Sequence, residues 1–276
     1  MDAIAEFERR AAEVPAGAEV PVVSAASGRE GYGWIDFEGL PNTRDLGGLP
    51  AVDGARVRCG LLLRSGALGF GTDGDLARLR DGYGLKLVVD LRAEEELVEL
   101  PDPMDAFPGA RYVHADIMAD KAAGITQDED SRELAKLRAQ AASADPVDFM
   151  ALLYPRLLLD ESGVEGYRNF FESVLVCEHG AALWHCYVGR DRCGMASALM
   201  EAALGVPRGL MEADYLATNV YAPRELTADG AASLRSFRAA ADALEREFGG
   251  FEGYIRSALD IPASAIRDLR ARYLER

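Results

Sequence analysis

The stretch Ala181-Ala182-Leu183-Trp184-His185-Cys186-Tyr187-Val188-Gly189-Arg190-Asp191-Arg192-Cys193-Gly194-Met195-Ala196-Ser197 decides how this chain is read. An apolar run, expected as a buried strand, leads into Cys186, and a helix is expected to start at Cys193, with six residues between the two. The first turn of a helix carries backbone N–H groups without intrahelical partners, and here they point back at the loop, so an anion gathers there. A free cysteine has a pKa near ~8.5, which falls when amides, a helix dipole and arginine surround the sulfur. Arg192 can grip two oxygens of a bound phosphoryl group with its planar fork. Gly189, at the crest, lets the backbone turn its amides inward without a Cβ clash. Cys186 therefore reads as a nucleophile, Arg192 as its phosphate clamp, and Tyr187, Val188, Gly189, Arg190 and Cys193 as the cradle around them. The Cys–Arg pair alone is a weak motif; the strand before it and the helix after it give it weight.

Outward from this loop, short apolar runs alternate with helical patterns. Leu61–Leu63, Leu85–Val89 and Tyr112–His114 are further strand candidates. Thr72 and Asp75 have capping-box spacing before one helix, and a run of glutamates opens the helix expected at Ala93–Leu100. Beyond Cys193 the chain reads as nearly all helix, punctuated by Gly205, Pro207, Pro223, Gly249-Gly250 and Pro262. This pattern predicts an α/β fold with a small, mainly parallel central sheet flanked by helices and a helical C-terminal part. Ligands in such folds collect at the carboxyl ends of the strands.

The whole chain has 276 residues, 30 basic against 46 acidic, and a net charge of −16. That field repels a nucleic-acid backbone, so nucleic acid is not expected as a partner. Only Lys86, Lys121 and Lys136 are lysines; the other basic residues are arginines, which suit carboxylates and phosphates. Four cysteines without a C-x-x-C pair do not make a disulfide scaffold, and Cys59 and Cys177 are expected as inert core thiols. The beginning of the chain lacks the pattern of a signal peptide, and no apolar run approaches the ~20 residues of a membrane span. A cytoplasmic location is the expectation. His114, His179 and His185 are dispersed, so neither a metal nor a cofactor is expected.

His185-Cys186-Tyr187-Val188-Gly189-Arg190-Asp191-Arg192 resembles the phosphate-binding loop of Cys-dependent protein phosphatases, most closely the bacterial tyrosine/serine and dual-specificity group with lipid-active members, whose loop reads H-C-x-x-G-K-D-R-T-G. Asn42-Thr43-Arg44-Asp45-Leu46-Gly47-Gly48 resembles the family's N-x-R-D-L-G-G, Arg64-Ser65-Gly66-Ala67-Leu68 its R-S-G-x-L, and Asp90-Leu91-Arg92 its D-L-R. Leu204–Pro207 and Asp214–Asn219 resemble the segment after the loop. The likeness runs from about residue 34 to the C-terminus. Residues 1–30 then read as an N-terminal extension and 31–276 as one phosphatase-like domain, with a helical insertion at about 121–160, too long for a simple connection, that is either extra packing or a lid over the site. Two departures stand out: Arg190 replaces the loop lysine, and Cys193 replaces the hydroxyl residue that assists the leaving thiolate.

The implied reaction is hydrolysis of a phosphate monoester through a phosphocysteine intermediate. Asp191 and Asp120 compete as the acid that protonates the leaving oxygen, the resemblance supporting Asp191 and placing Asp120 where the usual separate acid stands. His185 and Asp90 are expected to orient the loop. Arg44 and Arg64 either add positive potential around the phosphate or, more in keeping with their strand-end positions, form ion pairs with residues such as Asp45 and Asp90. The expected partner is a phosphorylated protein or a phosphoinositide, for which Arg190 and Arg192 together supply two cations. A phosphate-binding protein stalled by Cys193, and a sulfurtransferase, are the competing readings.

Overall fold

The strand that carries the decisive loop is the centre of the molecule. In the computed structural model, which describes residues 3–22, 30–117, 146–227 and 230–276, the main sheet runs in the order β1 (Arg44–Asp45), β3 (Leu62–Ser65), β6 (Ala181–His185), β4 (Leu85–Asp90), β5 (Arg111–His114). Parallel pairing joins β3, β6, β4 and β5, and β1 is antiparallel at the edge. Every residue of β6 is buried, as a strand covered on both faces requires. Away from this sheet, β2 (Arg56–Val57) pairs with the C-terminal β7 (Leu274–Glu275).

Register places Ser65, His185, Asp90 and His114 in one row across the carboxyl ends of the parallel strands. The functional loop leaves the sheet from this row. One face of the sheet, with Leu62, Leu87, Val89, Ala182 and Trp184, packs into the larger core; Leu63, Val88 and Leu183 pack on the other face with Ile35, Phe37, Leu40, Leu76 and Leu79.

The helices are α1 (Ala3–Ala11), α2 (Asp73–Ala77), α3 (Glu94–Glu99), α4 (Pro146–Leu159), α5 (Glu161–Leu175), α6 (Asp191–Leu204), α7 (Arg208–Leu216), α8 (Thr218–Tyr221), α9 (Leu234–Phe248), α10 (Phe251–Ser257) and α11 (Ala263–Tyr273). The capping box expected at Thr72 and Asp75 opens α2. All residues of α6 are buried, which explains its nearly uniform small and apolar sequence. It ends at Gly205, whose φ of 77° is the left-handed cap that glycine adopts without strain. Its start at Asp191 is two residues earlier than expected, within the usual uncertainty of helix ends.

The proposed lid stretch divides. Residues 121–145 lie outside the described residues, whereas α4 packs its Tyr154, Leu157 and Leu158 into the core. Within the N-terminal segment, Phe7 of α1 packs against Tyr32 and Tyr221. Cys177 is buried as expected, but Cys59 is exposed: it follows β2 between Arg58 and the positive-φ Gly60, a turn that leaves its thiol outside the core. No helix among the described residues is long and apolar enough to cross a membrane.

Candidate active site

Cys186 is the first residue beyond β6 and is 2% exposed, at the floor of the turn that leads to α6. Gly189 makes this turn possible. Its φ is +75°, and a Cβ there would sit 2.6 Å from the Ser65 carbonyl oxygen, a position no side chain tolerates. Arg192 is fully buried, and its guanidinium is held by Glu96 of α3: Nη1 donates to Oε2 at 2.5 Å and Nη2 to Oε1 at 2.8 Å. Burial works against this cation, but Glu96 with Cys186 and Asp191 nearby outweigh the penalty and hold it charged. Among the described residues its Nε has no hydrogen-bond partner. A buried N–H costs free energy unless it is bonded, so this one is suited to an oxygen brought by a ligand.

Glu96 also accepts from the Ala93 backbone N–H at 2.8 Å, so one carboxylate starts α3 and fixes the loop arginine. Sequence reading found the glutamate run but not this role.

The β4 side of the loop is a second buried charge system. Arg92 donates to Asp90 through Nε and Nη2 and to Asp102 through Nη2 at 3.0 Å. Tyr112 donates to Asp90 at 3.0 Å. Burial tends to raise the Asp90 pKa, yet His185 and Arg92 together bring it well below the ordinary carboxylate range. His185 faces Asp102 at 2.7 Å through Nε2 and the Cys186 carbonyl oxygen at 3.2 Å through Nδ1. Asp90 lies 3.8 Å from the same Nε2. Thus His185 and Asp90 do sit beneath the loop, joined by Asp102, which sequence reading missed. His114 lies at the strand end, with Nε2 2.7 Å from the Arg92 carbonyl oxygen.

The β3 side holds Arg44 and Arg64, for which positive potential at the phosphate and ion pairs were the alternatives; both arginines are ion-paired, and it is the partner that is corrected. Arg44 and Arg64 are each 0% exposed and share Asp214 of α7, with Nη1 contacts of 2.8 Å to Oδ1 and 2.6 Å to Oδ2. Their partner is Asp214 rather than Asp45 or Asp90; Asp45 instead accepts the N–H groups of Gly47 and Gly60. Arg64 donates to the Gly189 carbonyl at 2.8 Å, and Asn42 donates to the same oxygen at 2.9 Å. These groups brace the loop backbone from behind. Among the described residues the Arg64 Nε is also without a hydrogen-bond partner, on a cation that burial disfavours and Asp214 holds charged.

Arg190 and Cys193 are corrected as well. Arg190 is 4% exposed; its Nε donates to both Asp191 oxygens at 3.0 Å and its Nη1 to the Gly230 carbonyl at 2.6 Å, because a guanidinium beside a carboxylate at a helix start pairs with it. Cys193 is fully buried and points its thiol at the Trp184 carbonyl, 3.6 Å away, while burial pushes its pKa up to about 12. It lies on the core side of the helix start and is not part of an exposed cradle.

Asp191 is 3% exposed and accepts from Tyr154 at 2.5 Å, and Tyr154 shares a further 2.5 Å contact with Tyr215. The contacts of Asp191 are thus with donors that tie α4 to the end of the loop. Asp120, the other acid candidate, lies outside the described residues. Tyr187 and Val188 form the partly exposed crest, where Tyr187 meets Phe70 edge to face at a centroid distance of 5.6 Å.

Comparison with known proteins agrees with this geometry. The family described as "Tyrosine phosphatase family" matches residues 35–275. A Cupriavidus necator protein provisionally named a tyrosine-protein phosphatase is 30% identical over 279 aligned positions, covering 94% of this chain and 96% of its own. A tyrosine-protein phosphatase of Nostoc commune is 22% identical, covering 81% of this chain and 77% of its own. The triple specificity protein phosphatase PtpB of Mycobacterium tuberculosis is 26% identical, covering 81% and 93%.

Proposed function

Because the chain belongs to the tyrosine phosphatase family and is a Cys-dependent phosphatase, we propose that Cys186 is its nucleophile and Arg192 its phosphate clamp. The Cys186 thiolate attacks phosphorus and forms a sulfur–phosphorus bond as the ester oxygen leaves and takes a proton. Water then attacks the phosphocysteine, releases inorganic phosphate and returns the thiolate. Loop amides at the start of α6 and the Arg192 Nε face the oxygens on which charge gathers. The observation that carries this reading is Arg192 itself, buried and clamped through both Nη atoms by Glu96 while its Nε is left without a partner among the described residues. Asp120 is the remaining candidate for the proton donor, since the contacts of Asp191 fit a brace for Arg190 and Tyr154.

The substrate class is a phosphorylated protein, with an aryl phosphate favoured. Three observations support it. The half-exposed Tyr187–Phe70 pair offers an aromatic wall beside Cys186. Arg190, the second cation on which a polyanionic lipid would depend, is engaged by Asp191 and Gly230. The helix that holds Arg192 exposes Glu94, Glu95 and Glu99, which repel additional phosphates.

The test is inorganic phosphate release from a phosphotyrosine peptide, a phosphoserine peptide and a phosphoinositide, with quench-trapping of the ³²P-labelled enzyme. The wild type is expected to form phosphocysteine and to prefer phosphotyrosine; Cys186→Ser is expected to lose about 10³-fold or more, with no trapped phosphoenzyme. Full activity in Cys186→Ser would overturn the mechanism, and a preference for the phosphoinositide would overturn the substrate class.

A further inference from the structure

The surroundings of His185 fix its protonation state by hydrogen-bond arithmetic. Its Nδ1 lies 3.2 Å from the Cys186 carbonyl oxygen and its Nε2 lies 2.7 Å from Asp102 Oδ2. A carbonyl oxygen and a carboxylate oxygen only accept, so both ring nitrogens must donate, and an imidazole with two N–H groups is the cation. The other oxygen of Asp102 accepts from Arg92 at 3.0 Å, so a guanidinium also lies against this side chain. We propose that Asp102 is a positioning residue of the phosphatase reaction, holding His185 as an imidazolium against the backbone of Cys186 and thereby favouring the nucleophilic thiolate.

The full setting of His185 is consistent with that role. From β4 it meets Asp90, whose Oδ2 is 3.8 Å from Nε2 and which is itself occupied by Arg92 and Tyr112. Arg92 follows β4, and Asp102 reaches in from the segment between α3 and β5 with its side chain 2% exposed. On the β3 side the register neighbour is Ser65, which carries no charge and shares a 2.6 Å hydrogen bond with Thr43. Two carboxylates thus face two cations. Burial opposes the charge on His185, but Asp90 and Asp102 overcome it and its pKa is raised.

The oxygens of Asp90 and Asp102 and a nitrogen of His185 gather within 4.8 Å, a spacing a metal could use. Here Arg92 already supplies a positive charge that bonds both carboxylates. Among the described residues Asp102 is the side chain that touches both Arg92 and His185 at hydrogen-bond distance, and its effect reaches Cys186 through the ring. A reacting sulfur one residue from a fixed cation ionises at lower pH.

This inference rests on Cys186 being the nucleophile, and its test separates the two. The thiolate is titrated by the pH dependence of inactivation with iodoacetate, alongside kcat/KM on a small aryl phosphate. In Asp102→Asn, the amide can still accept from Nε2 but no longer holds the cation. The midpoint of inactivation is expected to rise by about one pH unit, with kcat/KM falling about tenfold on the acid side and much less above the new midpoint. Asp102→Glu is expected to recover part of the shift. Should Asp102→Asn be unstable, nitrogen-15 NMR of the wild type reads the ring directly, with both His185 nitrogens expected as protonated at pH 7. An unchanged midpoint in folded Asp102→Asn, or a neutral His185 ring at pH 7, overturns the inference. Wild-type enzyme that neither reacts with iodoacetate at Cys186 nor releases phosphate would overturn the nucleophile assignment instead.

Discussion

The two sides of the loop are built from the same residue types and do different work. On the β3 side, Arg44 and Arg64 converge on Asp214, and Arg64 Nη2 and Asn42 Nδ2 each donate to the Gly189 carbonyl. On the β4 side, Glu96 holds Arg192, while Asp90, Arg92, Asp102 and His185 form a chain that reaches the Cys186 carbonyl. The first system bonds the crest of the loop and fixes its shape. The second bonds the arginine and the residue behind the nucleophile, and so acts on the charges that the chemistry uses. An Arg–carboxylate pair thus has no meaning by type; what it does depends on where its third hydrogen bond ends.

The largest effect is expected from the bracing side. Asp214 is the shared counter-charge of two buried guanidinium groups, and removing one partner of a buried pair costs about 3–5 kcal/mol, because the remaining charge is stranded. Asp214→Ala should therefore lower the unfolding free energy in urea by at least that much and reduce the yield of folded protein. A loss below about 1 kcal/mol would mean that water reaches the two arginines, and the distinction between a brace and a catalytic support would fail.

Glu96→Gln is the corresponding cut on the other side, and its signature is kinetic. The amide keeps the size of the side chain but presents one N–H toward a guanidinium that also donates. Arg192 loses its fixed orientation, and a misplaced catalytic group costs roughly 10²-fold in rate. Steady-state kinetics on a small aryl phosphate should show kcat/KM down by about that factor, with the iodoacetate midpoint of Cys186 close to wild type. A shifted midpoint with unchanged kcat/KM would reverse the roles assigned to Glu96 and Asp102.

The parts of this architecture that sequence disclosed were local. The strand before Cys186, the glycine at position 189 and the helix after the loop announce themselves within a dozen residues. What stayed hidden acts across the chain. Asp214 lies 170 residues from Arg44, Glu96 lies 96 from Arg192, and Asp102 lies 83 from His185. With 46 acidic residues present, nothing in spacing singles these out. Arg190 misled for a related reason: its position in the loop suggested the phosphate, but the next residue, Asp191, captures it once a helix start turns the two together. Cys59 was misplaced because apolar neighbours such as Leu61–Leu63 suggest a core, while burial is decided by the turn at Gly60.

The smallest effect separates the two sides by pH. Against the cost of burial, its two carboxylate neighbours give His185 a folded-state pKa above the ~6.5 of an unfolded histidine, so folding favours the protonated form. The stabilisation is then fully present below about pH 6.5 and is lost as pH rises through the folded value. Asp90 has the opposite sign: its depressed pKa stabilises the fold above the ordinary carboxylate value of ~3.9 and ceases to do so in acid. The β3 side has guanidinium groups as its cations, and these keep their charge over the same range. Unfolding free energy measured in urea from pH 6 to pH 9 should therefore fall with a slope of at most ~1.4 kcal/mol per pH unit, the value for one proton. His185→Asn should flatten that slope, and Asp214→Asn should lower the whole curve while leaving its slope in place. If the slope survives in His185→Asn, the proton is taken up elsewhere, and the β4 side is no more pH-sensitive than the brace across the loop.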